Sequence, residues 1–241
     1  MAIRAHDVGP IAAEAAFTSD FAVGTEVPMS EFANKQDVER RIMNDRPGIL
    51  TKYMPVRYDG ATGTVLTGCR YLFDTGENAQ RYRRFLAEEL EFEPGIKFWS
   101  RRSLIDVDRR LWRVAGAHNF TPRSEHAVDR FERFVFPDGD PGAQLEKIWP
   151  TVRSAARERG LGAAWLLYQP QERQLAIHTV AHKIDAGDPT TSAEAALHHI
   201  SSVPSLDVLL PPELYARKVF DRSAMICSIG RRAPAAQPLI R

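Results

Sequence analysis

Residues Arg109–Phe120, RRLWRVAGAHNF, read as the closing strand of a small sheet, with Trp112, Val114, Gly116 and His118 alternating onto one face and Arg113, Ala115, Ala117 and Asn119 onto the other. The chain does not stop there. A few residues later His126–Phe136, HAVDRFERFVF, opens a new strand. One sheet ends and another begins, so the two flanks of this junction can be compared for the same order of elements.

On the N-terminal side, AEAAFTSDFAVG is strand-like, and PMSEFANKQDVERRIMNDRPG places Met29, Phe32, Val38 and Ile42 near helical spacing between Pro28/Ser30 and Pro47-Gly48. ILTKYMPVRY, the break DGATG and TVLTGCRYLFDT form a hairpin pattern. GENAQRYRRFLAEELEFEPG follows as a helix with Tyr82, Phe85, Leu86 and Leu90 on its apolar face and Gly95 as its stop. The next stretch, Ile96–Phe120, supplies one or two strands that turn at DVDRR. The order is strand, helix, strand, strand, helix, strand, the split βαβ arrangement of a ferredoxin-like domain.

The C-terminal side repeats it: AVDRFERFVF as strand, DPGAQLEKIWPTVRSAARERG as a helix that Pro150 should kink or break, LGAAWLLYQ and QLAIHTVAHK as a hairpin across PQER, TSAEAALHHISSV as helix, and ARKVFDRSAMICSI as closing strand. The halves share pattern, not residues. The expected fold is α+β, tandem ferredoxin-like repeats forming a dimeric-α/β-barrel-like structure within one chain. One half covers residues 1–121 and the other 122–241, meeting near Thr121–Glu125, with the two sheets stacked face to face and the helices outside. The termini, MAIRAHDVGP and GRRAPAAQPLIR, read as mobile extensions.

Bulk properties narrow the function. The chain has 241 residues, 44% apolar, a net charge of +1 and a pI of about 7.9, so it has ample material for a core and no field that would recruit nucleic acid. Its two cysteines, Cys69 and Cys227, sit in separate apolar runs and read as buried thiols of a reducing compartment. No run approaches a membrane span and the N-terminus lacks a secretory core, so a cytoplasmic protein with no membrane partner is expected. There is no GxGxxG fingerprint, no P-loop and no His/carboxylate spacing suited to iron, and a metal is not expected.

RPGILTKYMPVRYD, RYLFDTGENAQRYRRF, PGIKFWSRR, WRVAGAHNFTP and HAVDRFERF carry a resemblance that spans about Arg46 to Ile229. The chain resembles the antibiotic biosynthesis monooxygenases of the dimeric α/β-barrel superfamily. More narrowly, it is similar to the angucycline ring-opening oxygenases of the jadomycin, gilvocarcin and kinamycin pathways. This resemblance implies oxidative C–C cleavage or rearrangement of the B ring of an aromatic polyketide by dioxygen. It also implies reduced flavin (FADH2 or FMNH2) as a diffusible co-substrate from a separate flavin reductase, and a homodimer.

A planar polycyclic quinone needs aromatic walls and a few donors aimed at its oxygens. Trp99, Trp112, Tyr53 and Tyr71 are candidate walls; each also reads as an ordinary core aromatic. His118, on the Trp112 face, is a candidate general base, or a strand-end histidine satisfied by backbone. Arg101, with Arg102, is a candidate oxyanion stabiliser or a solvated charge. His178 and His182, four apart on a strand, share a face but lie too far apart to chelate one metal; they line a pocket or fill cross-strand polar positions. Two rivals stand beside the oxygenase. One is a haem protein of the chlorite dismutase or aldoxime dehydratase type, with His198 or His199 as axial ligand. The other is a non-catalytic module that binds a small aromatic.

Overall fold

Asp59 nucleates the first hairpin: its carboxylate accepts from the Ala61 N–H and the Thr62 hydroxyl, and Gly63 closes the turn at φ +70° with its N–H donating to the Asp59 carbonyl. The strands it joins, β3 (Ile49–Asp59) and β4 (Thr64–Phe73), lie in an antiparallel sheet with β1 (Gly9–Pro10), β2 (Ala15–Val23), β7 (Leu104–Asn119), β8 (Val128–Val135), β9 (Ala163–Gln169), β10 (Gln174–Val180) and β11 (Arg217–Ile229). The short strands β5 (Glu91–Glu93) and β6 (Ile96–Lys97) pair separately. This computed structural model describes residues 8–28, 42–43, 46–59, 61–123, 127–137, 140–181, 205, 210 and 217–229. The helices expected within Pro28–Gly48 and over Thr191–Val203 lie largely outside them, as do His182, His198 and His199.

Eight strands close into a barrel in the order β7-β2-β4-β3-β11-β8-β10-β9, with β9 returning to β7. This corrects the expectation of two stacked sheets. β3 pairs with β11, where Tyr53 meets Ile229, and β7 pairs with β9, so no edge is left for a second sheet. The expected turn at DVDRR is also replaced. β7 runs unbroken for 16 residues, and Asp106, at φ +52°, marks an irregularity in its pairing with β2. At the N-terminus, Gly9 and Pro10 are tied to Asn119 and His118 of β7.

Ala16, Tyr53, Leu72, Trp112, Phe131, Trp165, Ala176 and Ile226, one from each barrel strand, pack into a single buried cluster that fills the lumen. Among the described residues, two helices pack on the outer face. Helix α1 (Gly76–Arg84) is capped by the Thr75 hydroxyl, which accepts from the Asn78 N–H, and carries Arg81, Arg83 and Arg84 at its negative C-terminal end. It continues as a π-turn over Phe85–Glu89. Its buried residues Ala79, Tyr82, Phe85 and Leu86 pack on Phe17, Tyr71 and Phe73 of β2 and β4. Helix α2 (Gly142–Glu158) buries Leu145, Val152 and Ala156 against Leu166 and Ile177. Pro150 does not break it. That residue faces solvent, where water can satisfy the carbonyl that loses its intrahelical partner.

Candidate active site

The sequence-derived candidates separate into three places. His118 is the clearest correction. Strict alternation put it on the Trp112 face, but the pairing of β7 with β9 slips between Val114 and Gly116, a β-bulge that inserts one residue at Ala115. Trp112 and Val114 point into the lumen before it and Ala117 after it, whereas Ala115 packs on the α2 side. Gly116 also turns outward, where a Cβ would fall inside the Trp149 indole of α2. His118 stacks against Phe120, 4.7 Å between ring centres, and partial burial with Arg153 and Arg157 of α2 holds its pKa below the usual histidine value.

Trp112, Tyr53 and His178 form a second group, within the lumen. The Trp112 indole donates to the Thr18 hydroxyl at 2.9 Å. Tyr53 lies 5.6 Å from both the Trp165 and the His178 rings. The buried His178 Nε2 is 3.1 Å from Asp129, and burial depresses its pKa although Asp129 pulls the other way. Arg70 completes this network. Its guanidinium donates to Asp20 at 2.7 Å and to the carbonyls of Ser19 and Cys69 at 2.8 and 3.0 Å, and lies 3.9 Å from Asp129 and 4.3 Å from the Phe131 ring centre. Asp20 also meets Arg222 at 3.2 Å. Every ring and charge here is packed against another, which is the geometry of a polar core.

The third group borders a cleft on the outer face, between the β2–β4 surface and α1. Ser19, Phe21, Met43, Met54, Gly68, Cys69, Tyr71, Tyr82, Leu86, Phe98 and Trp99 line it, around a half-open space of about 20 Å³, room for roughly one water. Alternation delivers the set: Ser19 and Phe21 on β2, and Cys69 and Tyr71 on β4, point away from the lumen that Asp20 and Arg70 face. Gly68 is needed for strand approach, because a Cβ there would strike the Ser19 carbonyl. Trp99 is wedged edge-on between Phe98 and Phe21, 4.5 and 5.9 Å away.

The side chains that line the cleft are uncharged, but a buried cation, Lys52, lies beside its Tyr71 wall. The Tyr71 hydroxyl donates to the Met43 sulfur at 3.4 Å, and the fully buried Lys52 ammonium lies 5.3 Å from the Tyr71 ring centre. Ser19 Oγ and Cys69 Sγ are 3.2 Å apart, and burial pushes the Cys69 thiol up to about 12. Arg101 stands beside the cleft with its Nε donating to the Phe98 carbonyl and its guanidinium 4.2 Å from the Phe98 ring centre, while Arg102 faces solvent.

Of the seven candidates, Tyr71, Trp99 and neighbouring Arg101 therefore come together, and Tyr53, Trp112, His178 and His118 lie elsewhere. Sequence reasoning had assigned Tyr82 and Leu86 to the buried face of a helix. That the same face walls a cleft shows only once β2 and β4 are paired. Among the described residues no three His, Cys, Asp or Glu side chains converge as a metal site, and no helix is long and apolar enough to cross a membrane.

No protein-family model matches the chain, and no curated protein matches it in sequence. Solved structures share the fold. A protein from Fusobacterium nucleatum, provisionally named a monooxygenase, superposes with a TM-score of 0.54 at 11% identity over 93% of this chain and 97% of its own. A protein from Lactobacillus acidophilus with the same provisional name gives 0.54 at 13% identity, over 91% and 97%. An anthrone oxidase-like protein gives 0.52 at 11% identity, over 93% and 97%. At these identities the likeness is one of architecture.

Proposed function

We propose that this chain is an oxygenase for an aromatic polyketide of the angucycline type, opening or rearranging its B ring with dioxygen, and that the cleft beneath α1 receives the substrate. The observation that carries the reading is the cleft's lining: aromatic and thioether walls, two phenols, a thiol and a hydroxyl, and no charged side chain. Such walls suit flat, electron-rich rings and exclude water from them. The Tyr71 hydroxyl exchanges its weak bond to the Met43 sulfur for a substrate oxygen, and Ser19 Oγ offers a second polar anchor. A four-ring substrate far exceeds this space, so its binding would require α1 or the Phe98–Trp99 turn to swing outward.

The same reading makes the chain two ferredoxin-like halves. The strand order supports it: numbered within each half, both β7-β2-β4-β3 and β11-β8-β10-β9 run fourth, first, third, second. Reduced flavin, arriving from a reductase, would supply the electrons that activate dioxygen. The residues present suit such a visitor in kind, with aromatic walls inside the cleft and guanidinium groups beside it.

The test is to incubate the protein with a benz[a]anthraquinone, a flavin reductase, flavin and ¹⁸O-labelled dioxygen, and to read product mass. Labelled ring-opened or rearranged product, lost when Tyr71 and Trp99 are replaced by Phe and Ala, is expected. Tight substrate binding with no conversion would overturn the oxygenase in favour of a binding module, and a stoichiometric Soret band would favour the haem reading.

A further inference from the structure

Three of the described residues that line the cleft carry sulfur, and one of them has a partner that apolar packing does not explain. Cys69 is chemically quiet, since burial pushes its thiol up to about 12 and keeps it protonated. Met54 and Met43 are thioethers, 5% and 4% exposed, and a thioether keeps a nucleophilic lone pair at any pH. The Met43 sulfur accepts the Tyr71 O–H at 3.4 Å. Sulfur is a weak acceptor, so that O–H turns readily to a stronger one. The space these side chains line is about 20 Å³ and half-open, with Ser19 also on its wall, and it admits a molecule of one or two oxygen atoms and little else.

We infer that Met43 is a modification site: a small hydroperoxide entering the cleft oxidises its sulfur to the sulfoxide, and the sulfoxide oxygen then captures the Tyr71 hydroxyl. In this step a sulfur lone pair attacks one peroxide oxygen and the O–O bond breaks. The departing oxygen leaves as hydroxide and takes up the proton of the attacked oxygen. Thioether and hydrogen peroxide thus become sulfoxide and water, with two electrons passing from sulfur to oxygen. Tyr71 assists by turning its O–H from the sulfur to the departing oxygen, whose developing negative charge the apolar walls would otherwise leave unsolvated. Afterwards the same O–H meets a strong S=O acceptor in place of a weak sulfur. The chemistry needs only hydrogen peroxide and stands apart from the oxygenase reading. Under that reading, dioxygen reduced without product formation yields the peroxide at the cleft, and oxidation of Met43 then withholds Tyr71 from the substrate.

The test treats the intact, folded protein with dilute hydrogen peroxide and follows by mass the peptides that carry Met43, Met54 and Met225, each gaining one oxygen. Met225, on β11, does not line the cleft and is more exposed than either cleft thioether, so exposure alone puts it first. Met43 is expected instead to react about tenfold faster than Met225 and Met54, the factor that one hydrogen bond worth about 1.4 kcal/mol in the transition state gives. tert-Butyl hydroperoxide, too bulky for the space, should leave Met43 intact while still oxidising Met225. In Tyr71→Phe, Met43 should lose its lead, and oxidation should lower Tm by about 2–4 °C more than in the parent, because the buried sulfoxide oxygen has lost its donor. Met43→Leu should show no such peroxide-induced fall. Oxidation that follows exposure, with Met225 first, would overturn the site. A lead that tert-butyl hydroperoxide shares would overturn entry through the cleft, and a lead that survives in Tyr71→Phe would overturn the part assigned to Tyr71. If Tyr71→Phe fails to fold, the two peroxides compared on the parent still decide whether Met43 is the site. None of these readouts uses substrate turnover, so their failure leaves the oxygenase reading standing.

Discussion

Replacing Arg70 by Met should be the most damaging single change in the barrel that leaves the cleft lining intact. Met keeps much of the buried stem and its contact with Phe131 but removes the donors to Asp20, to the Ser19 and Cys69 carbonyls, and the charge facing Asp129. Taking one partner from a buried pair costs about 3–5 kcal/mol, because the carboxylate left behind is desolvated and uncompensated. Two contacts soften the loss: Arg222 still meets Asp20 at 3.2 Å and His178 still meets Asp129 at 3.1 Å. The two carbonyls add to it, since Arg70 is 1% exposed and no water reaches them from that side. For a chain of this length the cost corresponds to a fall in Tm of about 6–20 °C. Thermal unfolding followed by circular dichroism reads it, with urea unfolding as the check. In an Arg70→Met/Asp20→Asn background the further loss should be smaller than the sum of the single changes, because the stranded charge is gone. A Tm within 2 °C of the parent, or strict additivity in the double variant, would refute the claim that this network acts as one unit.

Gly116→Val drives a side chain into the Trp149 indole and should destabilise the protein by about 1–3 kcal/mol, recovered in part by adding Trp149→Ala; urea midpoints measure both. Because burial holds the His178 pKa below 6.5, the unfolded chain takes up a proton that the folded lumen resists. Stability should be intact above about pH 6.5 and fall as pH drops through and below it, with a shallower acid limb in His178→Asn, read from unfolding midpoints between pH 5 and 8. The Cys69 thiol, held at about 12, should resist iodoacetamide at pH 8 in the folded protein and react fully in urea, as peptide mass mapping would show.

What the sequence made legible follows from the range of the interactions involved. The β3–β4 hairpin and α1 announce themselves locally, through the break that holds Asp59 and Gly63 and through the spacing of Tyr82, Phe85 and Leu86. Closure of the barrel does not, because whether Tyr53 pairs with Ile229 depends on register between distant strands. Pro150 misled because its cost depends on whether its side of the helix is wet. Tyr71 and Trp99 could be proposed from residue type alone, but nothing local separates them from Tyr53 and Trp112, which are equally aromatic and equally at home in strands. The difference is the face each presents, and in β7 a run of small residues, Val114-Ala115-Gly116-Ala117, hides the extra residue that resets it.

That bulge has a consequence for comparing this chain with other proteins. Upstream of Ala115, even-numbered residues of β7 such as Trp112 and Val114 face the lumen; downstream, odd-numbered Ala117 does. A partner chain without the extra residue would align well by eye on either side of Ala115 if no gap is placed there, yet every residue beyond that point would be matched to one on the opposite face of the sheet. A histidine equivalent in column to His118 could then sit in another protein's lumen while His118 itself packs beneath α2. Inferring a role from a shared column across this strand requires a one-residue gap at Ala115 first.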